Sequence, residues 1–274
     1  MFAEVEGVKL HHVVHGPEDP GAPTAVLIHG FGVDHRLMAG AYEPVFAERP
    51  GWRRIYLDLP GMGRTVAPES VAGTDDVFRV LRAAVDELVP GPYTVIGQSY
   101  GGLLARGLAA AHDRVEGIGL VVPVIEAEHA RRVVPDRQVL VREPALVDEV
   151  GDAALDADDD IHVVQTRAVL ARFAAEIAPG LSVVDQRAVD RISAAYAGTF
   201  PLEPRPFGGP GLFVVGRQDH VTGYRQAWDL LEHYPRTTFA VVDRAGHHVH
   251  LESRAVFEAL VHEWLDRVEE SRSA

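Results

Sequence analysis

The segment Tyr93-Thr94-Val95-Ile96-Gly97-Gln98-Ser99-Tyr100-Gly101-Gly102 joins a short β-branched and aromatic run to a stretch rich in alanine and leucine. Tyr93 to Ile96 reads as a strand buried on both faces, and the residues from Gly102 to about His112 as a helix. Between them, Gly97-Gln98-Ser99-Tyr100-Gly101 fits G-x-S-x-G in the strand-to-helix context that a nucleophile elbow requires. The serine of such an elbow sits in a strained turn that lifts its hydroxyl above the sheet. Glycines two before and two after it let strand and helix approach without colliding Cβ atoms. The plainer alternative is an ordinary turn with a capping serine.

The same alternation extends in both directions. Val8 to His15, Thr24 to Ile28 and Arg53 to Asp58 read as strands on the amino-terminal side; Val115 to Val122, Leu212 to Val215 and Thr238 to Val242 follow on the other. Val77, Val80, Leu81, Ala84, Val85 and Leu88 form one helical stripe, with Thr74 as its expected cap and Asp75 and Asp76 at the positive end of its dipole. Val256, Phe257, Leu260, Val261, Trp264, Leu265 and Val268 mark a long closing helix. Strand and helix in this order predict a mostly parallel sheet covered on both faces. The alternation stops between Pro123 and about Phe207. Helical periods (Val163, Leu170, Phe173, Ile177; Val189, Ile192) occur there without a convincing strand, so the segment reads as a helical insertion.

Composition narrows the function. The 274 residues are 47% hydrophobic and 24% charged, typical of a globular chain, with a net charge of −14. Such an acidic surface makes nucleic acid and anionic membrane poor partners. There is no cysteine, which excludes disulfides, thiolate metal sites and a cysteine nucleophile. The only lysine is Lys9, in no phosphate-loop or Schiff-base motif. The start of the chain lacks a signal-peptide pattern and no apolar run reaches the ~20 residues of a membrane helix, so the expectation is a cytoplasmic protein.

On these residues the chain resembles the alpha/beta-hydrolase family. The likeness rests on His29-Gly30-Phe31-Gly32 after the third strand, the elbow at Gly97 to Gly102, Gly216-Arg217-Gln218-Asp219 after a late strand, and Ala245-Gly246-His247 after the last. It implies an eight-stranded, mostly parallel sheet formed by 1–122 and 208–274, with 123–207 as a helical cap. It also implies a catalytic triad: Ser99 as nucleophile, His247 as general base and Asp219 as the acid that fixes the imidazole. Asp243 and Glu126 are the competing acids. His247 is chosen over His248 and His250 because it directly follows the Ala-Gly pair, with Glu252 at the usual downstream position. His248 and His250 are expected as polar groups at a helix start, and zinc binding by the three is disfavoured. The oxyanion hole falls to the N–H groups of Phe31 and Tyr100, with His29 orienting the loop.

Other patterns are set aside. Gly61-Met62-Gly63 does not complete a dinucleotide fingerprint, and the acidic run Asp148 to Asp160 lacks the pattern of a calcium loop. No cofactor or metal is expected, the partner is a small-molecule substrate, and oligomeric state is not legible. A serine nucleophile argues against the carboxylate-attacking dehalogenase and epoxide-hydrolase branches. Hydrolysis of a small carboxylic ester is the expectation. A prolyl-type aminopeptidase using Glu126 and Glu128, a C–C bond hydrolase, a cofactor-free haloperoxidase or a ligand receptor are the alternatives.

Overall fold

A computed structural model describes residues 1–19, 21–146 and 161–273. Eight strands form one sheet in the order β1-β2-β4-β3-β5-β6-β9-β10. They are β1 (Phe2–Val5), β2 (Val8–His15), β3 (Thr24–Ile28), β4 (Arg53–Leu57), β5 (Tyr93–Gln98), β6 (Val115–Val121), β9 (Gly211–Gly216) and β10 (Thr237–Val242). β1 and β2 form an antiparallel hairpin and β2 lies antiparallel to β4; the remaining pairs are parallel. The central strands β3 and β5 are buried along their whole length, as unbroken apolar runs require when helices cover both faces.

Helices α2 (Thr74–Leu88) and α3 (Tyr100–Ala111) cover one face through Val77, Leu81, Val85, Leu104 and Leu108. Helix α1 (His35–Phe46) and the long α9 (Arg254–Ser273) cover the other, through Leu37, Tyr42, Phe257, Val261 and Trp264. Each large apolar side chain fully removed from water contributes about 1.5–3 kcal/mol. Asp34 caps α1 by accepting the N–H of Arg36 at 3.0 Å. Pro44 lies in its last turn.

Two local expectations need correction. Thr74 does not cap α2: the cap position is Gly73, and Asp76 accepts the N–H of Ala72 at 2.9 Å instead. The Thr74 hydroxyl donates to the Tyr196 carbonyl at 2.7 Å and accepts from the Tyr100 phenol at 3.0 Å, so tertiary partners outbid the local cap. Between β6 and β9 the chain has helices α4 (Arg167–Glu176), α5 (Ala178–Leu181) and α6 (Gln186–Ser193), but also two short parallel strands, β7 (Val141–Arg142) and β8 (Val164–Gln165). Val163 is therefore not helical. α4 starts only after Thr166, whose hydroxyl accepts the N–H of Val169 at 3.3 Å. The acidic run Asp148 to Asp160 lies outside the described residues. Among the described residues, no helix is long and apolar enough to cross a membrane.

Candidate active site

Ser99 follows β5 and precedes α3 with φ 53° and ψ −116°, in the left-handed half of backbone space that non-glycine residues rarely enter. Close packing holds it there. A Cβ on Gly97 would strike the Gly101 carbonyl, and one on Gly101 would strike the Ile28 carbonyl of the neighbouring strand. The Ser99 carbonyl accepts the N–H groups of Gly102 and Val124, both at 2.9 Å. Its hydroxyl is left to project above the carboxyl ends of the strands.

There it meets His247. The Oγ of Ser99 lies 3.0 Å from Nε2 of His247, and Nδ1 of the same ring lies 3.0 Å from Oδ2 of Asp219. Asp219 is fully buried on the loop after β9. Its Oδ1 accepts the N–H groups of Val221 (2.8 Å) and Thr222 (3.1 Å), and its Oδ2 also accepts the Thr222 hydroxyl at 2.7 Å. Burial pushes the carboxyl's pKa up, but the His247 ring and the Thr222 bonds outweigh it and hold it below its ordinary value. A carboxylate facing Nδ1 leaves the proton on that nitrogen and the lone pair on Nε2, facing the serine. The competing acids lie elsewhere. Asp243 is exposed and accepts from Gln218, while Glu126 accepts the N–H of Glu128.

The loop after β3 supplies a second element. His29 is buried, its Nε2 accepts the N–H of Leu59 at 3.0 Å, and its Nδ1–H donates to the Gly30 carbonyl at 2.7 Å. Burial keeps this ring neutral by pushing its pKa down, against the pull of Asp58. In a trans peptide the carbonyl of Gly30 and the N–H of Phe31 point in opposite directions, so pinning the first aims the second. Among the described residues that N–H has no acceptor. The N–H of Tyr100, at the start of α3, has none within its helix. Gly30 itself lies against Gln98 and Ser99.

Aromatic side chains wall the site. The Phe31 ring sits 5.1 Å from that of Tyr100 and 5.3 Å from Tyr196, and Tyr100 and Tyr196 are 5.0 Å apart. Tyr100 is itself fully buried, beneath the other two rings. On the other side, His248 at the start of α8 (Val249–Glu252) approaches His162 at 3.3 Å, with Phe173 against both rings. Burial, together with the neighbouring imidazoles, keeps His248 neutral. His250 is buried with neither ring nitrogen bonded, and burial pushes its pKa down to about 3. These two histidines are core groups, more enclosed than a helix-start role requires.

Three contributors escaped the sequence. Thr222 is one, although Asp-x-x-Thr is a recognisable local capping pattern. Tyr196 is another: with Phe173 and Phe200 it reads as a core aromatic of the insertion, and the sequence does not say which of the three faces the site. The third is the task of Glu252, whose carboxylate accepts the N–H groups of Gly246 (2.6 Å), Val163 (2.5 Å) and Val164 (3.2 Å). It fastens the loop bearing His247 to β8. Burial raises its pKa against those three bonds.

Among the described residues, the one cluster with ligand atoms close enough for a metal is His11, His35 and Asp58. Asp58 there accepts from both Nδ1 atoms, at 2.7 and 2.8 Å, and from the N–H groups of His35 and Arg64. Its oxygens are fully used by those donors, which describes a hydrogen-bonded brace beneath the loop after β3.

The sequence profile described as "Alpha/beta hydrolase family" matches residues 25–260. A hydrolase of the alpha/beta superfamily from Oenococcus oeni PSU-1 superimposes with a TM-score of 0.84 at 25% identity, over 95% of this chain and 96% of that one. A carboxylesterase structure from the thaumarchaeon Nitrososphaera gargenis gives 0.73 at 21% identity, over 98% of each chain. A Salmonella paratyphi B protein named 2-succinyl-6-hydroxy-2,4-cyclohexadiene-1-carboxylate synthase is 38% identical over 125 residues, 44% of this chain. That match spans 47% of the relative, about half its length.

Proposed function

This chain belongs to the alpha/beta hydrolase family, and from that premise we propose that it is a serine hydrolase acting on small carboxylic esters. The observation that carries the reading is the unbroken relay from Ser99 Oγ through His247 to Asp219, each step 3.0 Å long. A serine hydroxyl is a weak nucleophile until a base takes its proton. His247 does so as Ser99 Oγ attacks the acyl carbon. The oxyanion that forms is held by the N–H groups of Phe31 and Tyr100, the second at the positive end of α3. His247 then protonates the leaving alcohol, and Asp219 stabilises the imidazolium in between. A water molecule, deprotonated by the same ring, hydrolyses the acyl-serine and releases the acid.

In this reading residues 123–207 form the cap over a core of 1–122 and 208–274, and Tyr196 is its contribution to the acyl pocket. The cysteine-free composition supports a reducing, cytoplasmic setting. The aminopeptidase alternative finds little support. One oxygen of Glu126 accepts the Glu128 N–H, and Glu128 pairs with Arg131 at 3.0 Å.

A fluorophosphonate probe tests the reading. It is expected to label Ser99 alone, and Ser99→Ala is expected to lose both labelling and turnover of p-nitrophenyl butyrate while keeping its fold. Labelling at another serine, or full turnover by Ser99→Ala, refutes it; faster turnover of proline p-nitroanilide returns the aminopeptidase. The resemblance to a synthase favours one second reading, in which His247 moves a proton without an acyl-serine forming. Trapping of an acyl-serine by mass spectrometry separates the two.

A further inference from the structure

Arg132, just past a 3-10 turn (His129–Arg131), folds its guanidinium back onto the segment after β6 and the loop after β9. Nε donates to the Glu126 carbonyl at 2.9 Å, Nη1 to the Val221 carbonyl at 3.1 Å and Nη2 to the Ala127 carbonyl at 3.4 Å. These carbonyls border the triad. Val124, two residues before Glu126, donates its N–H to the Ser99 carbonyl, and the N–H of Val221 is held by Asp219. The guanidinium carbon lies 6.0 Å from the centre of the Tyr196 ring, which packs on Phe31 and Tyr100.

Its surroundings are unusual for this chain. With 40 acidic residues against 26 basic ones, most buried or half-buried arginines sit on a carboxylate: Arg54 on Glu43, Arg106 on Glu203, Arg172 on Glu176. Arg132 is half-buried, and among the described residues no carboxylate pairs with it, an environment it shares with Arg53 and Arg191, which also donate to backbone carbonyls. Glu126 and Glu128 have the partners given above, and Asp219 is taken up by His247, Val221 and Thr222. Carbonyl oxygens use three of the five guanidinium N–H groups, and the Tyr196 phenol oxygen also bonds the guanidinium. A partly desolvated cation held by neutral acceptors, one of them on the Asp219 loop, is prepared for an anion that is not part of the protein.

We propose that Arg132 receives a free carboxylate carried by the substrate, which makes half-esters of dicarboxylic acids the preferred class over neutral esters. The guanidinium fork offers the carboxylate a charge-assisted hydrogen bond through an N–H that no protein acceptor takes. The cation–π contact with Tyr196 and the three carbonyls hold that fork in place before the substrate arrives. This inference rests on the serine-hydrolase reading above, and its test separates the two.

The test compares kcat/KM for monomethyl adipate and methyl hexanoate in the wild type, Arg132→Gln and Arg132→Lys. Wild type is expected to favour the half-ester, and Arg132→Gln to lower the ratio of the two kcat/KM values about 10- to 100-fold, with Arg132→Lys in between. General damage to the fold cancels in that ratio. A ratio unchanged within about twofold in Arg132→Gln, or a wild type that prefers the neutral ester, overturns the proposal. A second arm needs no turnover: monomethyl adipate is titrated calorimetrically into Ser99→Ala and into Ser99→Ala/Arg132→Gln. Binding about 10- to 100-fold weaker in the double variant supports the proposal; equal affinity, or no binding to either, overturns it. If the wild type hydrolyses neither ester while binding still depends on Arg132, the esterase reading fails and the carboxylate site stands.

Discussion

Replacing Asp219 by asparagine tests the site at the level of a single proton. Oδ1 of Asp219 accepts two backbone N–H groups, from Val221 and Thr222, and an amide NH2 cannot replace an acceptor there. The asparagine must therefore keep its oxygen on that side and turn its NH2 toward the Thr222 hydroxyl and His247. Thr222 tolerates this, because its hydroxyl can donate to the Val122 carbonyl, 3.1 Å away, and accept from the amide. His247 does not. Facing a donor, Nδ1 must present its lone pair, which moves the proton to Nε2, the nitrogen 3.0 Å from Ser99 Oγ. The serine then faces a donor where it needs a base. The fold keeps its hydrogen bonds, so the unfolding free energy is expected to change by only about 1 kcal/mol. Activity is expected to fall about 10³- to 10⁴-fold, equivalent to about 4–5.5 kcal/mol of barrier at 1.36 kcal/mol per tenfold. The measurements are kcat/KM on p-nitrophenyl butyrate and the rate of fluorophosphonate labelling, beside a urea melt. A folded variant within about tenfold of wild type on both would show that the tautomer argument is wrong.

Three other outcomes follow from the packing. His250→Leu removes two buried, unbonded nitrogens and is expected to stabilise the protein by about 1–3 kcal/mol. Because the folded ring has its pKa pushed down to about 3, against 6.5 ordinarily, unfolding takes up a proton there on the acid side. Stability from this group is complete above pH 6.5 and lost as pH falls toward 3, so urea melts at stepped pH should show a shallower decline in the variant; an identical slope refutes the assignment. Arg106→Met leaves Glu203 buried without its cation and is expected to cost about 3–5 kcal/mol, whereas Arg106→Met/Glu203→Leu costs less, as chemical denaturation of both would show. Gly101→Ala drives a methyl into the Ile28 carbonyl and is expected to yield no soluble protein, while Gly91→Ala, with open space around it, melts like wild type in a thermal scan.

The parts legible in the sequence were those that a local pattern determines. The elbow needs glycine at 97 and 101 for reasons of backbone clearance, and buried strands such as Thr24 to Ile28 need unbroken apolar runs. Features resting on distant partners left a weaker trace. β1 alternates as a half-buried strand should, with Ala3 and Val5 inward, but four residues with alanine as one inward group give little signal. Helix α1 carries Gly40 and Pro44, two poor helix formers, and Gly40 is small because Glu176 of α4 lies against it. Thr74 reads as a cap because the sequence cannot display Tyr196 waiting 122 residues away. Arg132 and Glu252 have no motif to announce what they bind. Their roles come from backbone carbonyls and N–H groups, which every residue has and which only a fold can bring together.

Ser99 and His247 are 148 residues apart in the chain, and nothing local holds them together. Ser99 leaves β5 in the middle of the sheet, whereas His247 follows β10, the outermost strand on that side, which pairs only with β9. On the proposed function, activity therefore requires the margin of the sheet as well as its centre. A chain whose centre has already collapsed, with its elbow formed, is still inert until the margin of the sheet has zipped into register. Long sequence separation makes such closures slow relative to helix formation. Recovery of ester cleavage after dilution from denaturant should consequently trail the return of the helical circular dichroism signal, and turnover becomes a clock for the final stitch of assembly.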